Sequence, residues 1–162
     1  MTKDKTITLL VNGRFERVSV PPHRTLLEAL RLMGHVEVKC GCEKGDCGAC
    51  AVLVDGVAVD SCLTLAWTCE GKAITTVFGI GGKDGPHPLQ TALIEGGGIQ
   101  CGYCTPGMII AAKSLLDRNA NPTEDEIRFA LSGNLCRCTG YTKIIEAVST
   151  AAAALREQGG RS

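Results

Sequence analysis

Cysteine is the residue that most clearly promises chemistry in this chain of 162 residues, which contains ten of them. Most fall into three short segments, CGCEKGDCGAC (40–50), CGYCTPG (101–107) and NLCRCTGY (134–141). The first residues, MTKDKTITLLVNG, lack the apolar core and cleavage site of a secretory signal, so we expect a cytoplasmic protein. The cytosol keeps thiols reduced, and clustered cysteines there are more often metal ligands than disulfides. The sequence therefore predicts that these sulfurs hold metal.

The first cysteine set has the spacing of a plant-type iron-sulfur site. Its members are Cys42, Cys47, Cys50 and the more distant Cys62. This C-x4-C-x2-C…C pattern places four thiolates around a 2Fe-2S cluster. The loop must bend tightly and direct amide N–H groups at the sulfurs, and Gly41, Gly45 and Gly48 allow that approach. Zinc is the main alternative, but structural zinc sites usually combine two C-x2-C pairs, and this set has one.

The second cysteine set consists of two pairs that are far apart in sequence. Cys101 and Cys104 precede a predicted helix, and Cys136 and Cys138 precede another that begins near Gly140. A helix N-terminus carries unsatisfied N–H groups and a partial positive charge, which suits an anionic cluster. A lone Cys-x-x-Cys also fits a thioredoxin-like redox motif or a zinc knuckle. Its combination with Cys-x-Cys before a second helix favours a shared cluster.

The residues before position 79 have mainly the pattern of β-strands. TITLLV and RFERVSV flank Asn12-Gly13, and AVLV and VAV flank Asp55-Gly56, which are both strong hairpin signals. One helix is predicted between the hairpins, with a capping box at Thr25 and Glu28 and a stop at Gly34. KAITTV (72–77) is predicted as the last strand. We therefore expect a small mixed sheet crossed by one helix.

The residues after position 88 have the pattern of four helices. The predicted helices start at PLQTALIEG, at Thr105-Pro106 with Thr105 as the cap, at a capping box of Thr123 and Glu126, and near Tyr141. Gly133 is predicted to stop the third. The segment 80–88, rich in glycine and proline, is predicted as a linker. We thus expect an α+β protein with one domain over 1–79 and a second, all-α domain over 89–162.

Charge and hydropathy argue against two classes of partner. Lys plus Arg and Asp plus Glu both number 17, and no basic run occurs, so neither nucleic acid nor an anionic membrane is suggested as a partner. The apolar stretches are shorter than the roughly 20 residues of a membrane helix. Catalytic triads, paired catalytic carboxylates and phosphate loops are not recognisable in the sequence. Substrate chemistry is therefore expected on another chain.

The segments GCEKGDCGAC, QCGYCTPGM and GNLCRCTGY, together with Cys62, resemble the small iron-sulfur subunit of the molybdenum hydroxylases, the xanthine oxidase group. The resemblance extends from about Thr6 to about Ala151. It implies a β-grasp, plant-ferredoxin-like domain followed by a four-helix-bundle domain, each with one 2Fe-2S cluster. It also implies an oxidoreductase complex with a large subunit holding molybdopterin-bound molybdenum and, in most members, a medium subunit holding FAD, as a heterotrimer or a dimer of heterotrimers.

The resemblance also implies roles for individual residues. The ligands of the cluster toward the flavin would be Cys42, Cys47, Cys50 and Cys62, and those of the cluster toward the molybdenum Cys101, Cys104, Cys136 and Cys138. Gln100 and Cys138 would lie against the pterin of the partner. The chain departs from the family at Glu37 and Val38, where glycine and a small residue are common, which leaves the shape of that loop open.

Two cysteines, the three histidines and Arg137 lie outside the predicted ligand sets, and two other functions also fit the sequence. We expect Cys40 and Cys69 to be free buried thiols, although Cys40 could compete for iron. His23, His35 and His87 are expected at the surface or at caps. Arg137 could tune a cluster, face a partner or be solvated. The alternative functions are a stand-alone two-cluster ferredoxin-like carrier, for which a neutral chain is unusual, and a zinc-dependent interaction module.

Overall fold

The computed structural model describes residues 3–82 and 85–159, so residues 83 and 84 of the predicted linker lie outside the described part. The described chain contains five strands, β1 Lys5–Val11, β2 Arg14–Val20, β3 Ala51–Val54, β4 Val57–Asp60 and β5 Ala73–Thr75. It also contains five α-helices, α1 Leu26–Leu32, α2 Pro88–Glu95, α3 Thr105–Leu116, α4 Glu124–Leu131 and α5 Thr142–Gly159. Two short 3₁₀ helices, Ala66–Cys69 and Val77–Gly79, follow β4 and β5. None of the described helices is long and apolar enough to cross a membrane.

The strands form one mixed sheet in the order β2-β1-β5-β3-β4. β1 and β5 are parallel, and the other neighbouring strands are antiparallel. Both predicted hairpins are confirmed: φ is 49° and 79° at Asn12 and Gly13, and 49° and 82° at Asp55 and Gly56. Positive φ at both central residues is what a type I′ turn requires. The β3–β4 hairpin therefore places the segment before β3 and the segment after β4 at the same end of the sheet.

Helix α1 covers the sheet, as its apolar pattern predicts. The Thr25 hydroxyl accepts a hydrogen bond from the Glu28 amide, and the Glu28 carboxylate accepts one from the Thr25 amide. Gly34, with φ of 96°, follows the end of the helix. The helix and the sheet share one core, in which Leu26, Leu27 and Leu30 pack with Ile7, Leu9, Val52 and Ile74. This packing leaves the loop over 35–50 to connect α1 with β3.

The four predicted helices of the second half are confirmed, with two changes at their starts. Thr105 was expected as the cap of α3, but the N-cap is Cys104, which is already in right-handed helical conformation (φ −78°, ψ −17°). Its carbonyl accepts a hydrogen bond from the Met108 amide at 3.0 Å, so the helix begins one residue early. Helix α5 begins at Thr142, just after Tyr141, whose φ is 71°. Both changes lie at predicted ligand segments.

The two halves of the chain pack against each other. Leu53 of β3 lies in the same core cluster as buried residues of all four C-terminal helices, and Val77 and Ile80 join it. Ile80 belongs to the predicted linker, and Val77 was predicted at the end of a strand. Their burial explains why β5 stops at Thr75, since the chain turns there toward the helices. The boundary between the halves is therefore a packed contact.

Candidate metal centres

The β3–β4 hairpin brings together the two most buried cysteines of the first set. Cys50 precedes β3 and Cys62 follows β4, and the register pairs Ala51 with Asp60 between them. Cys50 and Cys62 are 3% and 6% exposed, and the Cys50 thiol donates a hydrogen bond to the Asp60 carboxylate at 3.8 Å. Burial raises the pKa of the Cys50 thiol to about 11. A strand pairing formed for the sheet thus also positions two sulfurs.

The loop before β3 supplies the other two cysteines of the first set. Cys42 and Cys47 are partly buried, and the Cys47 side chain contributes to lowering the pKa of Cys42. The Lys44 and Asp46 amides donate hydrogen bonds to the Cys42 sulfur at 3.4 and 3.3 Å. The Lys44 hydrogen bond is the main cause that lowers the pKa of Cys42 to about 7. The loop amides therefore stabilise a thiolate, as expected of a loop that holds a cluster.

Glycine is required at close approaches in this loop. A Cβ on Gly41 would lie 2.7 Å from the Cys47 sulfur. Gly45 and Gly48 have φ of 80° and 63°, a region that side chains disfavour. The predicted role of these glycines in allowing the backbone near the sulfurs is consistent with this geometry. Leu63 packs against the Gly45 position, where a Cβ would lie 2.5 Å from its methyl group.

The second cysteine set is brought together at the starts of α3 and α5. The Cys101 and Cys138 sulfurs are 3.6 Å apart, and both residues are exposed. Cys104 and Cys136 are both partly buried, and the Cys136 side chain contributes to raising the pKa of Cys104. The second set therefore has an exposed outer pair and a more enclosed inner pair.

The inner pair of the second set has strongly different thiol acidities. Burial, followed by the hydrogen bond with Cys136, raises the pKa of Cys104 to about 12. Burial would also raise the pKa of Cys136, but hydrogen bonds from the Thr139 hydroxyl and amide and from the Cys138 amide outweigh it and lower this pKa to about 7. The Tyr141 hydroxyl accepts a hydrogen bond from the Cys136 amide at 2.8 Å. Tyr141, which directly precedes α5, thus supports a ligand segment.

The predicted ligands are arranged as four pairs of thiols. The sulfurs of Cys101 and Cys138 lie 3.6 Å apart. In the other three pairs, Cys42 with Cys47, Cys50 with Cys62 and Cys104 with Cys136, one thiol contributes to the shifted pKa of the other. Within residues 3–82 and 85–159, no three or more Cys, His, Asp or Glu side chains converge as on a single metal ion. A 2Fe-2S cluster needs two protein ligands on each of its two irons, and the pairs match that donor set.

Gln100 and the surplus cysteines have distinct surroundings. Gln100 is exposed, and its Nε2 donates a hydrogen bond to the Cys138 carbonyl at 3.0 Å. Cys69 is buried at 1% exposure, as predicted. The expectation of a buried Cys40 was wrong: this residue is exposed, and its thiol donates a hydrogen bond to the Glu43 carboxylate at 3.2 Å. The Tyr103 hydroxyl donates a hydrogen bond to the Cys40 carbonyl at 2.5 Å.

The histidines agree only partly with expectation. His87 caps α2, where its Nδ1 accepts a hydrogen bond from the Leu89 amide, and His23 is exposed. His35 is neither a surface nor a capping residue, since its ring nitrogens lie 3.1 Å from Glu16 and 3.2 Å from Glu37 carboxylate oxygens. Sequence reasoning missed this contact because the partners come from different elements. The exposed position of Arg137 leaves its three possible roles open.

The unusual residues Glu37 and Val38 are both buried, at 6% and 2% exposure. The Glu37 carboxylate accepts a hydrogen bond from the Thr76 hydroxyl at 2.7 Å as well as lying against His35. Arg31 donates a hydrogen bond to the Val38 carbonyl at 2.9 Å. The loop that leads to the first cysteine set is therefore fastened to the sheet side of the molecule by polar contacts.

Comparison with known proteins agrees with this arrangement. A 2Fe-2S iron-sulfur cluster binding domain model matches residues 9–75, and a second 2Fe-2S binding domain model matches residues 76–149. The nicotinate dehydrogenase small FeS subunit of Eubacterium barkeri is 48% identical over 144 residues, covering 88% of this chain and 92% of that one. The xanthine dehydrogenase iron-sulfur-binding subunit of Escherichia coli O157:H7 is 45% identical over 152 residues, with coverage of 91% and 96%.

Solved structures show the same similarity. Quinoline 2-oxidoreductase from Pseudomonas putida 86 contains a chain with a TM-score of 0.90 and 42% identity, covering 96% of this chain and 98% of that one. Aldehyde oxidoreductase from Desulfovibrio desulfuricans gives a TM-score of 0.89 and 45% identity over 95% of this chain but 17% of its own. The chain therefore carries two 2Fe-2S domains, and it belongs to the family of small iron-sulfur, electron-transfer subunits of the molybdenum hydroxylases.

Proposed function

We propose that this chain relays single electrons between a molybdopterin-bound molybdenum centre on a large subunit and FAD, or another acceptor, through two 2Fe-2S clusters. The observation that carries the proposal is that two matched 2Fe-2S domains each bring distant cysteines together, Cys50 and Cys62 through the β3–β4 register and Cys101 and Cys138 at 3.6 Å. Each cluster, when bound, supplies a one-electron redox centre. The protein's part is to hold the ligands, offset their charge and limit access of water.

We assign two thiols to each iron. Cys42 with Cys47, and Cys50 with Cys62, would hold the irons of the first cluster, while Cys101 with Cys138, and Cys104 with Cys136, would hold those of the second. The first site belongs to a proposed β-grasp, ferredoxin-like domain over 1–79. The second belongs to a four-helix-bundle domain over 89–162, with 80–88 as the linker. The sheet with α1 and the four C-terminal helices each have a buried core, which supports this division, although Leu53 of β3 packs in the core of the helices.

The second cluster is proposed to face the molybdenum subunit. Its outer thiols, on Cys101 and Cys138, are exposed in this chain, and the exposed Gln100 is bound to the Cys138 carbonyl. A pterin on the partner could therefore contact Gln100 and Cys138 together. That contact would join the partner's cofactor to a cluster ligand over a short distance, and the first cluster would then serve the flavin side.

The assembled enzyme is proposed to be a heterotrimer of this chain, a large molybdopterin subunit and a medium FAD subunit, or a dimer of such heterotrimers. Cytoplasmic location is proposed because eight thiolate ligands require reducing surroundings until the clusters are inserted. The chain has equal numbers of acidic and basic residues, so net charge would not steer it toward a redox partner. This favours a subunit held in a stable complex over a diffusing electron carrier.

Affinity purification of this chain from the organism that encodes it tests the assignment. We expect a large subunit with molybdenum and a flavoprotein subunit with FAD to co-purify in amounts equal to this chain. Purification under the same conditions with Gln100→Ala would show whether that side chain contributes to binding of the large subunit. Recovery of the chain alone, with both clusters intact, would support the stand-alone carrier instead.

A further inference from the structure

The two cysteine sets meet at one place, which we call the inter-cluster junction and define as Cys47, Gly48, Gly107, Asn134 and Leu135. The Leu135 amide donates a hydrogen bond to the Cys47 carbonyl at 3.0 Å. The Asn134 side-chain amide donates a hydrogen bond to the Gly48 carbonyl at 3.1 Å. Cys47 belongs to the first set, and Leu135 directly precedes Cys136 of the second. The junction thus joins the two predicted ligand loops directly.

Asn134 is the buried polar side chain of this junction. It is 5% exposed, and 86 residues of chain separate it from Gly48. A buried carbonyl that lacks a donor carries an unfavourable desolvation free energy. The Gly48 carbonyl accepts one hydrogen bond from the Ala51 amide, within its own turn, and a second from the Asn134 side chain. Its amide therefore ties the first loop to the second.

The backbones at the junction approach so closely that only glycine fits. A Cβ on Gly107 would lie 2.1 Å from the Gly48 carbonyl oxygen and 3.0 Å from the Asn134 Nδ2. A Cβ on Gly48 would lie 2.3 Å from that same nitrogen. Real Cβ atoms do not approach so closely, so the fit is specific to these residues. The two loops are consequently held with little freedom to shift.

We propose that Asn134 is a positioning residue that fixes the distance and orientation between the two clusters by holding the Cys47 carbonyl on the Leu135 amide. The proposal rests on the proposed function, because it takes both sites to bind clusters. The path from Cys47 to Cys136 crosses one hydrogen bond and the backbone of Leu135. Loosening the junction would therefore alter electron exchange between the clusters while leaving the ligands themselves in place.

The test uses Asn134→Ala and Asn134→Asp in the full chain within its complex. An ionised aspartate has nearly the same shape but cannot donate to the Gly48 carbonyl. The matched control is Asn119→Ala, which removes the side-chain hydrogen bonds with Glu126 at 3.3 Å and with the Asn121 amide at 2.9 Å in the connection between α3 and α4. The readouts are hydrogen exchange of the Leu135 amide, the magnetic interaction between the two reduced clusters, and iron content at each site.

We expect Leu135 exchange to accelerate by about tenfold in both Asn134 variants, as loss of a buried hydrogen bond implies. The magnetic interaction should change, with any iron lost first from the Cys42–Cys62 site, and the control should leave all three readouts near wild type. Unchanged exchange and interaction, or equal iron loss from both sites, would overturn the proposal. Wild-type protein that binds zinc would contradict the proposed function, whereas Leu135 exchange would still report on the junction.

Discussion

The two metal centres of this chain differ in how much of their enclosure the chain itself provides. At the first, Cys50 and Cys62 are buried beneath a hairpin, and loop amides donate to the Cys42 sulfur. At the second, Cys101 and Cys138 lie exposed at the starts of two helices. The first site is therefore largely built by its own domain, and the second leaves one side open for a neighbour to cover.

The difference indicates two ways of holding an anionic cluster. The first site uses a glycine-rich loop whose amides reach the sulfurs, so its electrostatics depend on local backbone geometry. The second uses helix N-termini, the Thr139 hydroxyl and the Tyr141 hydroxyl behind Cys136. We expect changes near the first site to act mainly on its own stability. Changes at the exposed edge of the second should act mainly on exchange with a partner.

The largest effects are expected from ligand substitutions, which test whether the sites are independent. Cys47→Ser should remove the first cluster and Cys136→Ser the second, so that iron falls from about four to about two per chain in each case. Iron analysis and the spectra of the reduced protein measure this. Loss of both clusters from either variant, in protein that remains folded, would show that the two sites do not bind their clusters independently.

The next largest effect is expected from Gly107→Ala, which overfills the contact between the sites. Its Cβ would lie 2.1 Å from the Gly48 carbonyl oxygen, and such overpacking costs about 1–3 kcal/mol or more. Gly133→Ala is the matched control, because nothing lies within 4 Å of its Cβ position. The thermal unfolding midpoint should fall for the first variant and stay nearly constant for the second. Equal midpoints would show that the two halves are not in tight contact there.

Glu37→Ala should weaken the first site selectively. The change leaves the Thr76 hydroxyl without its acceptor, and Thr76 is fully buried, so a cost of about 1–3 kcal/mol is expected. Glu16→Ala is the control, because Glu16 also contacts His35 but is more exposed. Release of iron under mild denaturant should begin at the first site in Glu37→Ala. Preferential release of iron from the second site would contradict the view that the contacts of Glu37 with Thr76 and His35 stabilise the loop over 35–50.

Gln100→Ala should act on electron transfer at the second site with both clusters retained. Gln100 contacts the Cys138 carbonyl, and outer contacts of this kind typically change activity by about tenfold or more. The rate of cluster reduction by substrate in the complex measures the effect. Gln158→Ala, at an exposed position of α5, is the control. An unchanged reduction rate for Gln100→Ala would remove Gln100 from the proposed route.

The smallest effect is expected from Cys40→Ala. Cys40 is exposed and bound to Glu43, which leaves it outside the paired thiols, so iron content and turnover should remain near wild type. Cys42→Ala should lose the first cluster. If that variant keeps some iron that the double variant loses, Cys40 can replace a missing ligand. An empty first site in Cys40→Ala would show that the ligand register of this loop is wrong.

Features with a local cause could be predicted from the sequence. The Asn12-Gly13 and Asp55-Gly56 turns and the Thr25 and Thr123 capping boxes depend on residues within a few positions, and the structure has them where the sequence indicates. The membership of the two cysteine sets stays a prediction from ligand spacing within each loop, which is a local property.

Features that depend on contacts between distant segments could not be predicted. The division of each cysteine set into pairs requires the β3–β4 register and the meeting of α3 with α5. The bond between Asn134 and Gly48 joins segments 86 residues apart, and an asparagine beside a ligand pair was the only signal. The hydrogen bond from the Tyr103 hydroxyl to the Cys40 carbonyl likewise joins residues 63 positions apart. Local spacing carries no information on such contacts.

A reductive titration of the intact complex, followed by electron paramagnetic resonance together with iron and acid-labile sulfide analysis, tests the central claim most directly. About four irons and four sulfides per chain are predicted. Two different signals of equal intensity should appear, because the two sites differ in burial and hydrogen bonding. Stoichiometric zinc without iron, or one signal from one cluster, would contradict the account of two paired-thiol 2Fe-2S sites in one electron-relay subunit.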